Sequence, residues 1–267
     1  MAKTKIDAYS LLKRIREEKP IVHHLTNWVT IYDCANVVKT LGASPVMAHA
    51  REEAAEMAAI ASSLVLNIGT LTPDFVEAMK IAAKSANKKG IPVILDICGV
   101  GATRLRDDKS LELLNEVKID IIKGNVSEIV RASGENIRTR GVDSTEVEQD
   151  MFTVAGWLTK RFNAVVVVTG KHDIIRNGIK SYVVKNGHPM MTHVVGTGCM
   201  AASVIGAFAA VTKDLAYAAA SALTCFEIAA ELAAKKAKGP ASFKEAMFDC
   251  LFKLEEKTIN KMQKVTA

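Results

Sequence analysis

The segment Val195-Gly196-Thr197-Gly198-Cys199 combines residue types that suit anion chemistry, and it opens an alanine-rich run. Two glycines let the backbone come close to a ligand. The first turn of a helix presents unpaired N–H groups at the positive end of its dipole. Together they form a hole suited to a phosphoryl group in transfer. Cys199 falls at the same helix start, where a thiol pKa tends to drop, and it could take a proton from an attacking hydroxyl. The plainer alternative is a tight turn with a buried cysteine.

Four further segments carry similar possibilities. Asp96-Ile97-Cys98-Gly99-Val100-Gly101-Ala102-Thr103 follows an apolar run. A carboxylate at a strand end, ahead of a glycine-rich loop, can organise Mg²⁺ and phosphate. A dinucleotide fingerprint is the rival reading, but Ala102-Thr103-Arg104 leaves the third glycine missing. In Lys123-Gly124-Asn125-Val126-Ser127-Glu128, Asn125 and Glu128 can share one side of an opening helical turn. Glu128 either holds a metal or caps that helix with Asn125 and Ser127. Thr169, in Val168-Thr169-Gly170-Lys171, could bond a nucleotide phosphate or simply end a strand.

The last segment lies near the N-terminus: His23-His24-Leu25-Thr26-Asn27, then Ala35-Asn36, then Gly42-Ala43-Ser44-Pro45-Val46-Met47. Met47 follows a turn signal outside any helical stripe and could pack on an aromatic or sulfur-containing ring. Adjacent residues on a strand point to opposite faces, which argues against His23 and His24 as a metal pair. His49, His172, His188 and His193 have no metal-like neighbours and read as surface or structural.

These segments need a scaffold, and the pattern around them supplies one. Short, almost wholly apolar runs at 64–68, 92–95, 119–122 and 164–168 read as strands buried on both faces, as in a parallel sheet. Between them, 74–89 and 143–160 carry apolar stripes at helical spacing, with Pro73 in a first turn. Alternation of this kind implies crossover connections, and ligands then bind beyond the carboxyl ends of the strands. Residues 173–178 and 181–184 read as a hairpin with an Asn-Gly turn. Residues 200–236 read as two packed helices and 242–262 as a third. No linker or repeat divides the chain, so one domain over 1–267 is expected, of α/β class with a mostly parallel central sheet flanked by helices.

Bulk properties narrow the function. The chain has 49% hydrophobic and 24% charged residues, the mixture of a folded protein. Its net charge of +6 is scattered, and aromatics make up only 5%, which argues against nucleic-acid binding. Five widely spaced cysteines without a CxxC suggest a reducing compartment rather than a disulfide framework. The N-terminus lacks a signal-like apolar core. The apolar stretch 201–211, taken as the longest, is too short for a bilayer. A cytoplasmic protein with no membrane contact is the expectation.

Taken in order, these motifs resemble the hydroxyethylthiazole kinase family of the ribokinase-like superfamily. The resemblance runs from about Pro20 to Ala237. It rests on Thr26-Asn27, Ala35-Asn36, Gly42 to Met47, Gly99 to Thr103, Gly124-Asn125, Gly141-Val142-Asp143-Ser144 and Gly196 to Cys199. It implies a three-layer fold without a separate lid domain. It also implies transfer of the γ-phosphate of ATP, with Mg²⁺, to the hydroxyethyl oxygen of 4-methyl-5-(2-hydroxyethyl)thiazole. Cys199 would stand where related kinases carry a catalytic Asp, with Gly196, Thr197 and Gly198 forming the anion hole. Asp96 and Glu128 would serve the metal, and Lys123, Thr169 and Asn125 the ATP. Met47, Asn27, Gly196 and Gly198 would contact the thiazole. A homotrimer with sites at subunit interfaces is implied. The sequence departs from the family pattern at Ile97-Cys98, where Pro-Val is usual, and at Lys123, where Arg is common. Lys keeps the charge but loses the bidentate fork. A kinase for another hydroxymethyl heterocycle and a non-enzymatic thiazole binder are the competing expectations. The intact 196–198 glycine run argues against the second.

Overall fold

In the computed structural model, the nine strands among the described residues join one sheet, in the order β2-β1-β3-β4-β5-β6-β7-β8-β9. The structure describes residues 4–134, 144–178 and 180–267, without the side chains of 144–149. Gly141-Val142-Asp143 therefore lies outside the described residues. The parallel strands are β1 (Ile21–Leu25), β2 (Ser44–Val46), β3 (Ser63–Asn67), β4 (Val93–Asp96), β5 (Ile121–Asn125) and β6 (Val165–Thr169). The antiparallel β7 (Asp173–Asn177), β8 (Lys180–Val184) and β9 (Val265–Thr266) extend one edge.

The apolar runs are split by strand alternation between two cores. Val22, Val65, Ile94, Ile121 and Val165 face one layer, made of α1 (Ala8–Glu18), α2 (Ile31–Leu41), α8 (Thr197–Ala209), α9 (Leu215–Ala234), α10 (Pro240–Phe252) and α11 (Glu256–Met262). Leu64, Leu66, Leu95, Ile122 and Val166 face the other, made of α3 (Arg51–Ile60), α4 (Pro73–Lys89), α5 (Arg104–Glu116), α6 (Val126–Ser133) and α7 (Ser144–Phe162). A strand covered on both sides has no polar face, which is why these runs do not alternate in sequence.

Three details differ from the expectation. The C-terminal segment forms two helices rather than one. It breaks at Lys253-Leu254-Glu255, where Leu254 turns into the core. Asn177 is not a turn residue of the β7–β8 hairpin, as the Asn-Gly reading had it, because it pairs with Lys180 in the ladder; Gly178 takes φ +35°. The longest apolar segment is Leu215–Ala234 rather than 201–211. It is long and apolar enough to cross a membrane, but it packs as a core helix against α8 and α10.

His23 and His24 do occupy one strand, both buried. His24 Nδ1 sits 3.0 Å from the Val22 carbonyl, while its Nε2 is buried without a partner. Burial pulls its pKa from 6.5 down to about 4. The unfolded chain therefore binds a proton that the folded chain refuses, and stability falls as pH drops from about 6.5 toward 4. His24→Asn keeps a donor for Val22 and cannot titrate. In urea denaturation across this window, the variant should lose stability about 1.4 kcal/mol per pH unit less steeply than the parent.

Candidate active site

The sheet order reverses at β1, with β2 on one side and β3 on the other. Such a switch point opens a crevice beyond the carboxyl ends of the strands. A hydrogen-bonded chain crosses it. Asn27, just past β1, donates through Nδ2 to Asn67 Oδ1 (2.9 Å) and to Cys199 Sγ (3.2 Å). Asn67, ending β3, donates to Asp96 Oδ2 at 2.8 Å. Asp96, ending β4, faces Lys123 Nζ at 3.3 and 3.4 Å. The neighbouring Thr30 hydroxyl donates to Asn27 Oδ1 at 3.0 Å and so orients that amide. Asn27, Asn67, Asp96 and Lys123 are all buried.

Over this chain stands the start of α8. Its N-cap, Gly196, has φ +90° and no side chain to satisfy the first amides. A Cβ there would fall 2.5 Å from Thr30 Cγ2, so the position requires glycine. Thr197 turns its hydroxyl back to the Met191 carbonyl at 3.1 Å. The amides of Thr197, Gly198 and Cys199 have no carbonyl behind them in the helix, and a helix start of this kind can receive an anion. Lys123 Nζ lies 3.2 Å from where a Cβ on Gly198 would be, so a buried cation sits directly beneath those amides.

The charges interlock. The Cys98 thiol, the Thr30 hydroxyl, the Lys123 ammonium and the Asn27 amide together hold the Cys199 thiol down at about 5, against the opposing effect of burial. Cys98, donating to that sulfur and itself part-buried, is pushed well above its ordinary range. Burial lifts Asp96 to about 7; Lys123 opposes this, and the nearby Cys199 and Glu128 reinforce it. Burial alone would lower Lys123, but the surrounding Asp96, Cys199 and Glu128 raise it. The surroundings thus favour the Cys199 thiolate, in an environment with more anionic groups than cations.

Around this centre the remaining candidates divide. Glu128 takes the Gly99 N–H on Oε1 (2.8 Å) and the Asn125 N–H on Oε2 (2.7 Å), and with Asn125 forms a complete capping box for α6. The capping alternative therefore holds, yet each carboxylate oxygen keeps a further lone pair. Asn125 Oδ1 is engaged by Glu128 N–H and the Ser127 hydroxyl. Thr169 ends β6 beside β5, and its hydroxyl reaches the Gly124 carbonyl at 3.3 Å. Met47 follows β2 at the same end of the sheet, outside the hydrogen-bonded chain. Among the described residues, no group of three or more His, Cys, Asp and Glu could hold a metal ion by itself.

Sequence reasoning missed Thr30, Asn67 and Arg106. Arg106, on α5, donates to the carbonyls of Ile68 (2.8 Å), Cys98 (3.1 Å) and Gly69 (2.7 Å), tying the loops after β3 and β4 together. Asn67 had a signal, since it is a polar residue ending an apolar strand. Arg106 had none, because a charged helix hides which arginine turns inward.

The family model for the hydroxyethylthiazole kinase family matches residues 12–257. The chain is 55% identical to a hydroxyethylthiazole kinase of Methanosarcina mazei, over 95% of this chain and 97% of that one. It is 50% identical to one of Thermoanaerobacter pseudethanolicus, over 96% and 97% respectively. The solved hydroxyethylthiazole kinase of Pyrococcus horikoshii superposes with a TM-score of 0.89 at 40% identity, covering 97% of this chain and 98% of that one. A ribokinase-like superfamily protein of Enterococcus faecalis shares the fold at a TM-score of 0.65 and 15% identity, covering 94% and 98%.

Alkylation by iodoacetamide, followed at the Cys199 peptide by mass, should rise with a midpoint near pH 5. Cys98→Ala removes the principal donor and should move that midpoint upward. An unmoved midpoint would show that the Cys98 thiol does not support the thiolate.

Proposed function

The chain belongs to the hydroxyethylthiazole kinase family, and on that footing we propose how its residues divide the work of that reaction. The enzyme phosphorylates the hydroxyethyl group of 4-methyl-5-(2-hydroxyethyl)thiazole, with ATP as co-substrate, in the salvage branch of thiamine biosynthesis. The observation that carries the residue assignment is the uncapped start of α8, set above Lys123 and beside the Cys199 thiolate.

The substrate hydroxyl attacks the γ-phosphorus. A new O–P bond forms while the bond to the bridging oxygen breaks, and that electron pair leaves with ADP. The amides of Thr197, Gly198 and Cys199, with Lys123, take the charge on the equatorial oxygens, where most catalysis of phosphoryl transfer arises. Cys199 accepts a hydrogen bond from the attacking hydroxyl and receives its proton as the new bond forms. A thiolate held this low is a weak base, so its larger contribution is to aim the hydroxyl. Asn27, fixed by Thr30 and Asn67, holds that sulfur. Gly196 and Gly198 leave room for the reacting group, and Met47 lines the thiazole side. Lys123, Thr169 and Asn125 serve the nucleotide phosphates.

Mg²⁺ would be held by Asp96 and Glu128 together with the nucleotide's own phosphates, and would supply charge neutralisation there. The donor set fits. Magnesium commonly takes one or two carboxylates and keeps its other positions for phosphate and water. Asp96, Glu128 and Cys199 also crowd negative charge around a single lysine, which a divalent cation would relieve.

The assembly we propose is a homotrimer whose subunits cover the site. Trp28, Val29 and Tyr32, flanking Thr30, and Val195, preceding Gly196, are all exposed. So large an apolar rim suits a protein partner. A catalytic thiolate also needs a reducing compartment, which supports a cytoplasmic location.

Incubation with Mg-ATP and the thiazole alcohol should yield the phosphate ester by mass. Cys199→Ala should lower kcat about 10²-fold while leaving the KM for the alcohol within a few-fold; an unchanged kcat removes Cys199 from the mechanism. Asp96→Asn should demand more Mg²⁺ for half-maximal rate, and a titration curve matching the parent's refutes the metal assignment.

A further inference from the structure

Beneath the Thr169-Gly170 turn lie two carboxyl groups that the proposed reaction does not use. Asp173 opens β7 and Glu227 sits midway along α9, with exposures of 3% and 6%. Their side chains meet. Asp173 Oδ1 accepts the Gly170 N–H at 2.9 Å and so fixes the turn that follows β6. Glu227 Oε2 is buried and has no hydrogen-bond partner.

Ionised carboxylates only accept hydrogen bonds, so two of them in contact cannot bond each other. A second buried negative charge without a partner costs several kcal/mol. One proton resolves both problems. An O–H on Glu227 donates to Asp173, the orphaned oxygen is satisfied, and one charge disappears. The surroundings decide which group holds the proton. Burial raises Asp173, but the Gly170 N–H and the positive charge of Lys123 on β5 both favour its anion. Glu227 is buried and faces Asp173 and, on its own helix, Glu231. The cation on that side, Lys264, is already engaged by Glu231 at 2.8 Å. Gly187, at φ +109°, faces Glu227 with backbone alone; a Cβ there would lie 3.7 Å from Cδ.

We propose that Glu227 is a positioning residue for the nucleotide: as a neutral acid it holds Asp173, and Asp173 holds the Gly170 turn against the phosphates that Thr169 serves. The inference rests on the nucleotide role given to Thr169 and adds the device that keeps the turn in place. Burial together with the Asp173 charge drives the Glu227 carboxyl well above the usual carboxylate range, in agreement with this arrangement.

Glu227→Gln keeps a neutral donor of the same shape, whereas Glu227→Ala removes it. In steady-state kinetics on the full-length enzyme, the KM for ATP should stay within about twofold for Gln and rise about tenfold for Ala, the loss of one buried hydrogen bond. The kcat and the KM for the thiazole alcohol should hold in both. The infrared spectrum of the parent should contain a protonated-carboxyl carbonyl band that Glu227→Gln lacks. A Gln variant whose KM for ATP rises as far as Ala's would mean that the site needs a charge, as a cation ligand would, and overturns the proposal. So does a carbonyl region unchanged by Glu227→Gln. If Glu227→Ala fails to fold, the Gln kinetics and the infrared band decide alone. Thr169→Ala separates the two readings. An unchanged KM for ATP there sinks the nucleotide role of the turn, while the infrared band still decides whether the proton is shared.

Discussion

A single buried cation organises the end of the sheet where the chemistry sits. Lys123 lies on a central strand, 4% exposed, and its ammonium cannot be solvated there by bulk water. Removing such a charge from water costs several kcal/mol, which only close anionic partners can offset. Asp96 supplies the direct partner across the β4–β5 ladder, in register with Lys123. That fixes Asp96, which then accepts from Asn67, which accepts from Asn27, which steadies the Cys199 sulfur. The order of polar residues along the crevice follows from the need to hold one charge. Gly124 shows the same tightness: a Cβ beside Lys123 would lie 2.9 Å from Ile97 Cγ1, so the strand end admits no side chain there.

The layers were legible because a strand buried on both faces must be apolar throughout, and 64–68, 92–95 and 164–168 have no other reading as pronounced. The helices α1, α2, α3 and α5 were harder to see. The first turn of α5 is almost wholly charged, and its buried face consists of little more than Ser110, Leu113 and Leu114. The two-residue β9 was invisible, since it exists only by pairing with β8 more than 80 positions earlier. Among the site residues, those beside glycines announced themselves: Gly196 to Cys199, Asp96 and Lys123. Thr30 and Arg106 did not: Thr30 acts on the Asn27 side chain within one tight turn, and Arg106 on backbone carbonyls brought near by the fold.

Glu128 shows that a structural and a functional reading need not exclude each other. Its carboxylate closes the first turn of α6 and pins the Gly99 amide, so the glycine-rich loop after β4 and the helix after β5 are held by one side chain. Rigid support of this kind is what the proposed role of Glu128 as a metal ligand would require. Arg106 does the matching work from the other side of the loop, through three carbonyls. Loops that carry glycines at positive φ, such as Gly99 and Gly101, are conformationally free in isolation, and these two clamps remove that freedom.

The choice of a thiol at position 199 follows from the same charge balance. A third carboxylate in the crevice would sit against Asp96, which already reaches about 7 with only Lys123 to oppose its burial. Adding it would push both acids toward protonation and disarm the proposed metal ligands, since like charges in one pocket cannot all ionise. A thiolate spreads its charge over a large, polarisable atom and is held here by hydrogen bonds from Cys98 and Asn27 more than by a countercharge. In the proposed reaction it would place an anion beside the attacking hydroxyl without taking Lys123 from Asp96. On the proposed assignment, the amides above would keep their positive potential for the phosphoryl group, because the negative charges below them would be matched by Lys123 and a bound cation.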